Sequence, residues 1–240
     1  MSALLERTRR SARQNTVSRD VALLRGRNGY IVASAGLAAF GALFAAVKAR
    51  RSDEVDIAIT LRLQARQHRS IAALMEAVSW PGFPPQSRLI PPIAIATLFV
   101  MRMPTEAAFQ LLAWGTGGLS TVVKGFVKRP RPLPEQVRVV LAPLGGSSFP
   151  SGHVLTYVGT YGFMAYVVYT TIRPPQVRWP LSLGLVGLVG LVGPSRIYQG
   201  HHWPTDVAAS YFLGLTYLIG VMAIYRRVRG RFLSPGEALD

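Results

Sequence analysis

His202 and Asp206 stand four residues apart, with Pro204 between them. Proline suits the first turn of a helix, so a single turn would carry the carboxylate to the imidazole. An acceptor at one ring nitrogen fixes the tautomer and leaves the other nitrogen free to attack. His201 has the wrong offset for the same pairing. Upstream, Pro150-Ser151-Gly152-His153 immediately precedes an apolar block. Ser151 is placed to cap a helix there, the free amides of Gly152 and its neighbours would point at an anion, and His153 would sit in the first turn. Lys124, Arg131 and Arg196 add cations at the ends of apolar segments. Guanidinium forks match phosphate oxygens in bidentate fashion, so a phosphate ester would fit among the three.

Each cluster alone also has an ordinary reading. Membrane-flanking cations bind lipid heads, Ser-Gly is a common helix start, and an interfacial His/Asp pair is often only a satisfied structural pair. None of these accounts for the clusters together, and an Asp at the mouth of a membrane span is costly enough to suggest function. The chain has no cysteine, which excludes thiol catalysis and Cys-ligated metal. There are four histidines in all, and Asp206 is the only carboxylate in these clusters. That inventory argues against a dedicated metal site, so neither metal nor cofactor is expected.

The elements that must position these residues are membrane spans. Half of the 240 residues are apolar, and they come in blocks: Tyr30–Val47, Val154–Ile172 and Val207–Tyr225 each run 18 to 19 residues without a charge. About 20 residues of helix cross the hydrocarbon. Shorter blocks near Leu89–Met101, Thr105–Val123 and Trp179–Gly193 bring the expected total to six spans. Between the first two spans, Lys48–Gln86 carries Ile57, Leu61, Ile71, Leu74, Met75 and Val78 at helical spacing, which suggests amphipathic helices along the interface or a solvated linker. Trp80-Pro-Gly-Phe-Pro-Pro breaks any helix there. Polar loops are expected over Lys124–Pro150 and Pro194–Thr205.

The net charge of +16 would suggest nucleic acid in a soluble protein. Here a membrane explains it better. Arg7, Arg9, Arg10, Arg13, Arg19, Arg25 and Arg27 precede the first span, and Arg226, Arg227, Arg229 and Arg231 follow the last. The positive-inside rule makes both ends and the Arg173–Arg178 turn cytoplasmic. The two loops that hold the chemistry then share the extracytoplasmic face, although Lys48, Arg50 and Arg51 fall on that side against the rule. The expected organisation is a basic cytoplasmic segment over 1–28, a six-span unit over 29–226 and a cytoplasmic tail over 227–240. The first span is read as uncleaved, because its apolar block exceeds a usual signal-peptide core.

Lys124-x6-Arg131-Pro132, then Pro150-Ser151-Gly152-His153, then Ser195-Arg196-x5-His202-x3-Asp206, in this order, resembles the three-part signature of the type 2 phosphatidic acid phosphatase superfamily. Every signature position is matched. The resemblance implies an all-α bundle of six transmembrane helices in the cell membrane, with its active site at the extracytoplasmic interface. It implies that His202 is the nucleophile, that Asp206 orients it, and that His153 serves as acid and then base. Lys124, Arg131, Ser151, Gly152 and Arg196 would hold the phosphate. The implied substrate is a lipid phosphate, for which phosphatidic acid, phosphatidylglycerol phosphate and undecaprenyl diphosphate all qualify. Membrane lipids are the expected surroundings, and no nucleic acid is expected. A phosphotransferase using the same phosphohistidine and a non-catalytic lipid-binding protein are the alternatives. Vanadium haloperoxidases share the signature but are soluble.

Overall fold

The computed structural model describes residues 19–142 and 144–232. The basic residues Arg7 to Arg13 and the tail beyond 232 lie outside the described residues. All regular structure among the described residues is helical: α1 (Arg19–Lys48), α2 (Asp53–Gln64), α3 (Arg69–Ser79), a 3-10 turn (Trp80–Gly82), α4 (Gln86–Val100), α5 (Pro104–Trp114), α6 (Thr116–Phe126), α7 (Gly152–Thr171), α8 (Pro175–Tyr198) and α9 (Pro204–Phe232).

Among the described residues, three stretches are long and apolar enough to cross a membrane: Arg27–Lys48 in α1, Pro175–Tyr198 and Pro204–Arg229. The expected second span forms the shorter apolar α4, and the expected third is divided at Gly115 into α5 and α6. The expected fourth span, α7, is the central post, packed by α5, α6, α8 and α9. Large apolar side chains such as Ile31, Ile93 and Val186 point outward, as a surface bathed in lipid allows.

Helix α2 is inside out. Asp56, Thr60 and Gln64, at successive one-turn intervals, are buried, while Val55, Ile59 and Leu61 are exposed. The apolar side chains of α2 therefore face outward, and its polar stripe is what joins the bundle. Gln64 donates to the carbonyls of Arg138 and Tyr198 at 2.8 and 3.0 Å and accepts from the Arg138 amide at 3.0 Å. One side chain thus ties α2 to the loop before α7 and to the end of α8.

Helix α8 continues past the point where the sequence suggests a loop. Pro194 lacks an N–H, which leaves the Gly190 carbonyl without its usual intrahelical donor. Tyr211 Oη of α9 repairs this, donating to Val189 at 2.7 Å and to Gly190 at 3.0 Å while accepting from the Gly193 amide at 3.0 Å. Inside a membrane such backbone groups need a partner. Ser195 and Arg196 consequently ride the last turn of a helix instead of a loop.

Candidate active site

The turn before α9 needs a left-handed residue, and Gly200 supplies it at φ +70°. A Cβ there would lie 2.2 Å from the Arg138 carbonyl oxygen. The chain can therefore double back and set His201 and His202 side by side.

His202 is 2% exposed. Its Nδ1 donates to the Ser148 carbonyl at 2.7 Å, and the nearest Asp206 oxygen stands at 3.7 Å. The tautomer is thus fixed chiefly by a backbone carbonyl, with Asp206 close enough to favour positive charge on the ring. Nε2 is left with its lone pair, 3.4 Å from Arg131 Nη1. Burial pulls the imidazole pKa to about 4 against the partial support of Asp206, so the ring is neutral at ordinary pH.

Asp206 is occupied elsewhere. One oxygen accepts from the Trp203 amide at 2.9 Å, a reach back across the first turn like that of a capping box. The other accepts from Arg129 at 2.6 Å. Arg129 was not singled out by the sequence, yet it is the hub. Its second terminal nitrogen donates to Asp56 at 2.6 Å, and Asp56 in turn accepts from the Thr205 amide at 2.8 Å, capping α9 from α2. Burial lowers the Arg129 pKa, but Asp206 and Asp56 together outweigh it and raise the net value. The one available signal was indirect: three carboxylates in Asp53-Glu54-Val-Asp56 with an unassigned Arg-Pro downstream.

Arg131 donates to the His201 carbonyl at 2.8 Å and to Gly145 at 3.2 Å, while its Nε has no partner. Arg196 is fully buried. One nitrogen contacts Gln199 and, at 2.7 Å, His201 Nδ1, leaving Nε and the other terminal nitrogen unpartnered. His201 in turn donates Nε2 to the Val140 carbonyl at 2.7 Å. Burial, then the neighbouring Arg196, draw its pKa to about 4. His201 is thus a fixed acceptor that aims Arg196, a role its spacing did not reveal.

Ser151 occupies the N-cap position of α7, but its hydroxyl makes no capping bond and is buried without a partner. Its amide donates to Ser210 at 2.7 Å. The first-turn amides of α7, from Gly152 onward, lack intrahelical acceptors. His153 Nε2 is likewise buried and unpartnered. The first-turn amides and the Ser151 hydroxyl are donors of the kind that an oxyanion satisfies.

The break at Trp80–Pro85 roofs the site, which the sequence did not show. The Phe83 ring meets His153 edge-on at 4.8 Å and lies 4.8 Å from the Arg196 guanidinium. Gly82 approaches so closely that a Cβ would fall 2.2 Å from His153 Cδ2. Beneath this roof, Lys124, Arg131, Gly152, His153 and His202 line a cavity of about 340 Å³. Ser151, Arg196 and Asp206 are buried and do not line it. Among the described residues, no group of three or more His, Asp or Glu is arranged to hold a metal ion.

Fold and site define an all-helical membrane protein with two histidines and a set of cations converging at one end of the bundle. The family model of the PAP2 superfamily matches residues 106–229, and the chain belongs to that superfamily. It is 33% identical over 136 residues to phosphatidylglycerophosphatase B of Bacillus subtilis, spanning 54% of this chain and 64% of that protein. It is 30% identical over 117 residues to the undecaprenyl-diphosphatase BcrC of the same organism, spanning 46% of this chain and 55% of the relative. The chain therefore spans less than two thirds of the length of either. Among solved structures, the transmembrane PAP2-type phosphatidylglycerolphosphate phosphatase of Bacillus subtilis superposes with a TM-score of 0.72 at 24% identity, covering 82% of this chain and 96% of that one.

Proposed function

We propose that the protein is a membrane phosphatase that removes the terminal phosphate of a lipid phosphate or diphosphate through a phosphohistidine at His202. The observation that carries this reading is the His202 ring. Nδ1 is committed to the Ser148 carbonyl, and Nε2 is neutral and turned to Arg131 in a cavity it shares with His153. Nε2 attacks the phosphorus and the bond to the leaving alkoxide breaks, while His153, which burial and Arg196 keep neutral until the negative charge of a bound phosphate favours its protonation, gives that oxygen its proton. His153 then takes a proton from water as the water attacks the phosphohistidine, and inorganic phosphate departs. Lys124, Arg131 and the Gly152 amide, which line the cavity, and the Ser151 hydroxyl and Arg196, whose unpartnered atoms lie buried behind it and are reached as the phosphate seats, hold the phosphoryl oxygens and supply from the protein the charge stabilisation that phosphoryl transfer requires. No metal is needed on this account.

The relatives named for phosphatidylglycerol phosphate and undecaprenyl diphosphate support a lipid substrate with a terminal phosphoryl group. Six spans and an extracytoplasmic site are the topology we infer, with α1, α4, α5 and α6 together, α7, α8 and α9 as the spans. The test is phosphate release by purified protein in detergent with EDTA, across phosphatidic acid, phosphatidylglycerol phosphate and undecaprenyl diphosphate. Release from at least one of them that survives EDTA and is inhibited by vanadate supports the reading. Loss in EDTA restored by magnesium or zinc, or no release from any, overturns it.

A further inference from the structure

Of the three cations that break the positive-inside pattern, Lys48, Arg50 and Arg51, the first two share one place. They line a second cavity of about 400 Å³ at the same end of the bundle as the active site, together with Lys128 of the signature loop. Arg129 and Arg131 also reach this cavity, so Arg131 lines both chambers. Asp53 contributes a carboxylate to the wall, but it is directed at Arg129, 3.3 Å away. Asp53, Asp56 and Asp206 are all directed at Arg129, three carboxylates around one guanidinium, and none of them pairs with Lys48, Arg50 or Lys128. Among the described residues, no hydrogen bond or ion pair joins Lys48, Arg50 or Lys128 to any side chain, and the only contact of this kind is Lys48 over the Phe44 ring at 5.9 Å.

Two further features set this cavity apart from an ordinary basic surface. Arg50 is held at φ +56°, a left-handed conformation ordinarily left to glycine, so its placement is strained. The walls include Val47, Ile57 and Trp203, and Phe126 and Leu133 stand 69% and 51% exposed at its edge. Uncompensated cations beside exposed apolar side chains match a molecule with a phosphate head and hydrocarbon chains.

We propose that this second cavity binds the headgroup phosphate of an anionic phospholipid, held by Lys48, Arg50 and Lys128 beside the catalytic chamber, with its acyl chains against Phe126 and Leu133. The site does not depend on the proposed catalytic chemistry, since none of the three cations lines the catalytic cavity. It gives the outward-side cations a physical reason to be where they are.

Native mass spectrometry of the delipidated full-length chain in neutral detergent, titrated with phosphatidylglycerol or phosphatidylcholine, tests this directly. Wild type should retain a phosphatidylglycerol in preference to phosphatidylcholine. Lys48→Gln/Arg50→Gln/Lys128→Gln should weaken phosphatidylglycerol binding roughly a hundredfold, at about fivefold per charge, with phosphatidylcholine unaffected. Lys128→Gln alone should show the fivefold step, which keeps the proposal open to test if the triple variant folds poorly. Arg196→Gln, altered behind the catalytic chamber and away from this cavity, should bind phosphatidylglycerol like wild type. Unchanged binding in the triple and single variants, or loss in Arg196→Gln instead, would place the lipid elsewhere and overturn the proposal. So would displacement of the lipid by millimolar inorganic phosphate, which would mark a free-phosphate site. Hydrolysis of p-nitrophenyl phosphate by the same variants reads the catalytic proposal separately.

Discussion

Replacing Arg129 by methionine should unfold the site from behind. The guanidinium bridges Asp56 and Asp206, each at 2.6 Å, and both carboxylates are fully buried. Methionine keeps much of the volume and removes the charge, so two carboxylates remain with only neutral donors: Thr205 for Asp56, and the Trp203 amide for Asp206. Breaking a buried ion pair by deleting one partner typically costs about 3 to 5 kcal/mol. For a chain of this size that corresponds to a fall in melting temperature of about 6 to 20 °C. Tryptophan fluorescence of the detergent-solubilised protein on heating measures it, and a double-mutant cycle identifies the cause. Asp56→Asn should destabilise the wild type, because it strips Arg129 of a partner. In the Arg129→Met background it should be neutral or stabilising, because it removes a stranded charge. If Asp56→Asn cost the same in both backgrounds, or if Arg129→Met melted with the wild type, the hub assigned to Arg129 would be wrong.

Three other outcomes follow from the geometry. His201 and His202 are both drawn from the ordinary 6.5 to about 4, so the unfolded chain binds more protons between these limits. Stability should therefore fall as pH drops from about 6.5 towards 4, and kcat/KM for p-nitrophenyl phosphate should show the nucleophile unprotonated until near pH 4; a loss of the nucleophile centred near 6.5 would contradict the assigned neutral ring. Gly82→Ala places a methyl 2.2 Å from His153 Cδ2 and must displace that ring. Hydrolysis of a lipid monoester should drop on the order of 10²-fold, and an unchanged kcat would refute the roof. A single cysteine at Gly146 should react with a membrane-impermeant maleimide in intact cells and one at Arg173 should not; the reverse pattern would invert the topology.

The signature residues were legible because their chemistry is local. A helix start, a one-turn His/Asp offset and an Arg-Pro can each be read within a few positions. The scaffold around them was not. Asp56 and Arg129 are 73 residues apart, and Gln64 reaches Tyr198 across 134. Neither link leaves a mark in local spacing. The spacing suggested a helix at α2 but not which face joins the bundle: its buried stripe is the polar one, Asp56, Thr60 and Gln64, and the partners of Asp56 and Gln64 lie far away in the sequence. The end of α8 was hidden because Pro194 reads as a stop unless Tyr211, on another helix, is known to satisfy the freed carbonyls. His201 was passed over because its partner is a guanidinium five residues earlier instead of a carboxylate four residues later.

The central claim is that His202 bonds to phosphorus while His153 only moves protons. Rapid-quench hydrolysis of p-nitrophenyl phosphate by the two alanine variants separates these roles, because nitrophenolate leaves without needing a proton and the phosphohistidine then waits for activated water. His153→Ala should release a stoichiometric burst of nitrophenol, retain phosphate on the protein, and turn over slowly thereafter. His202→Ala should give neither burst nor phosphoprotein. A burst from His202→Ala, or its complete loss in His153→Ala, would contradict the assignment of nucleophile and acid.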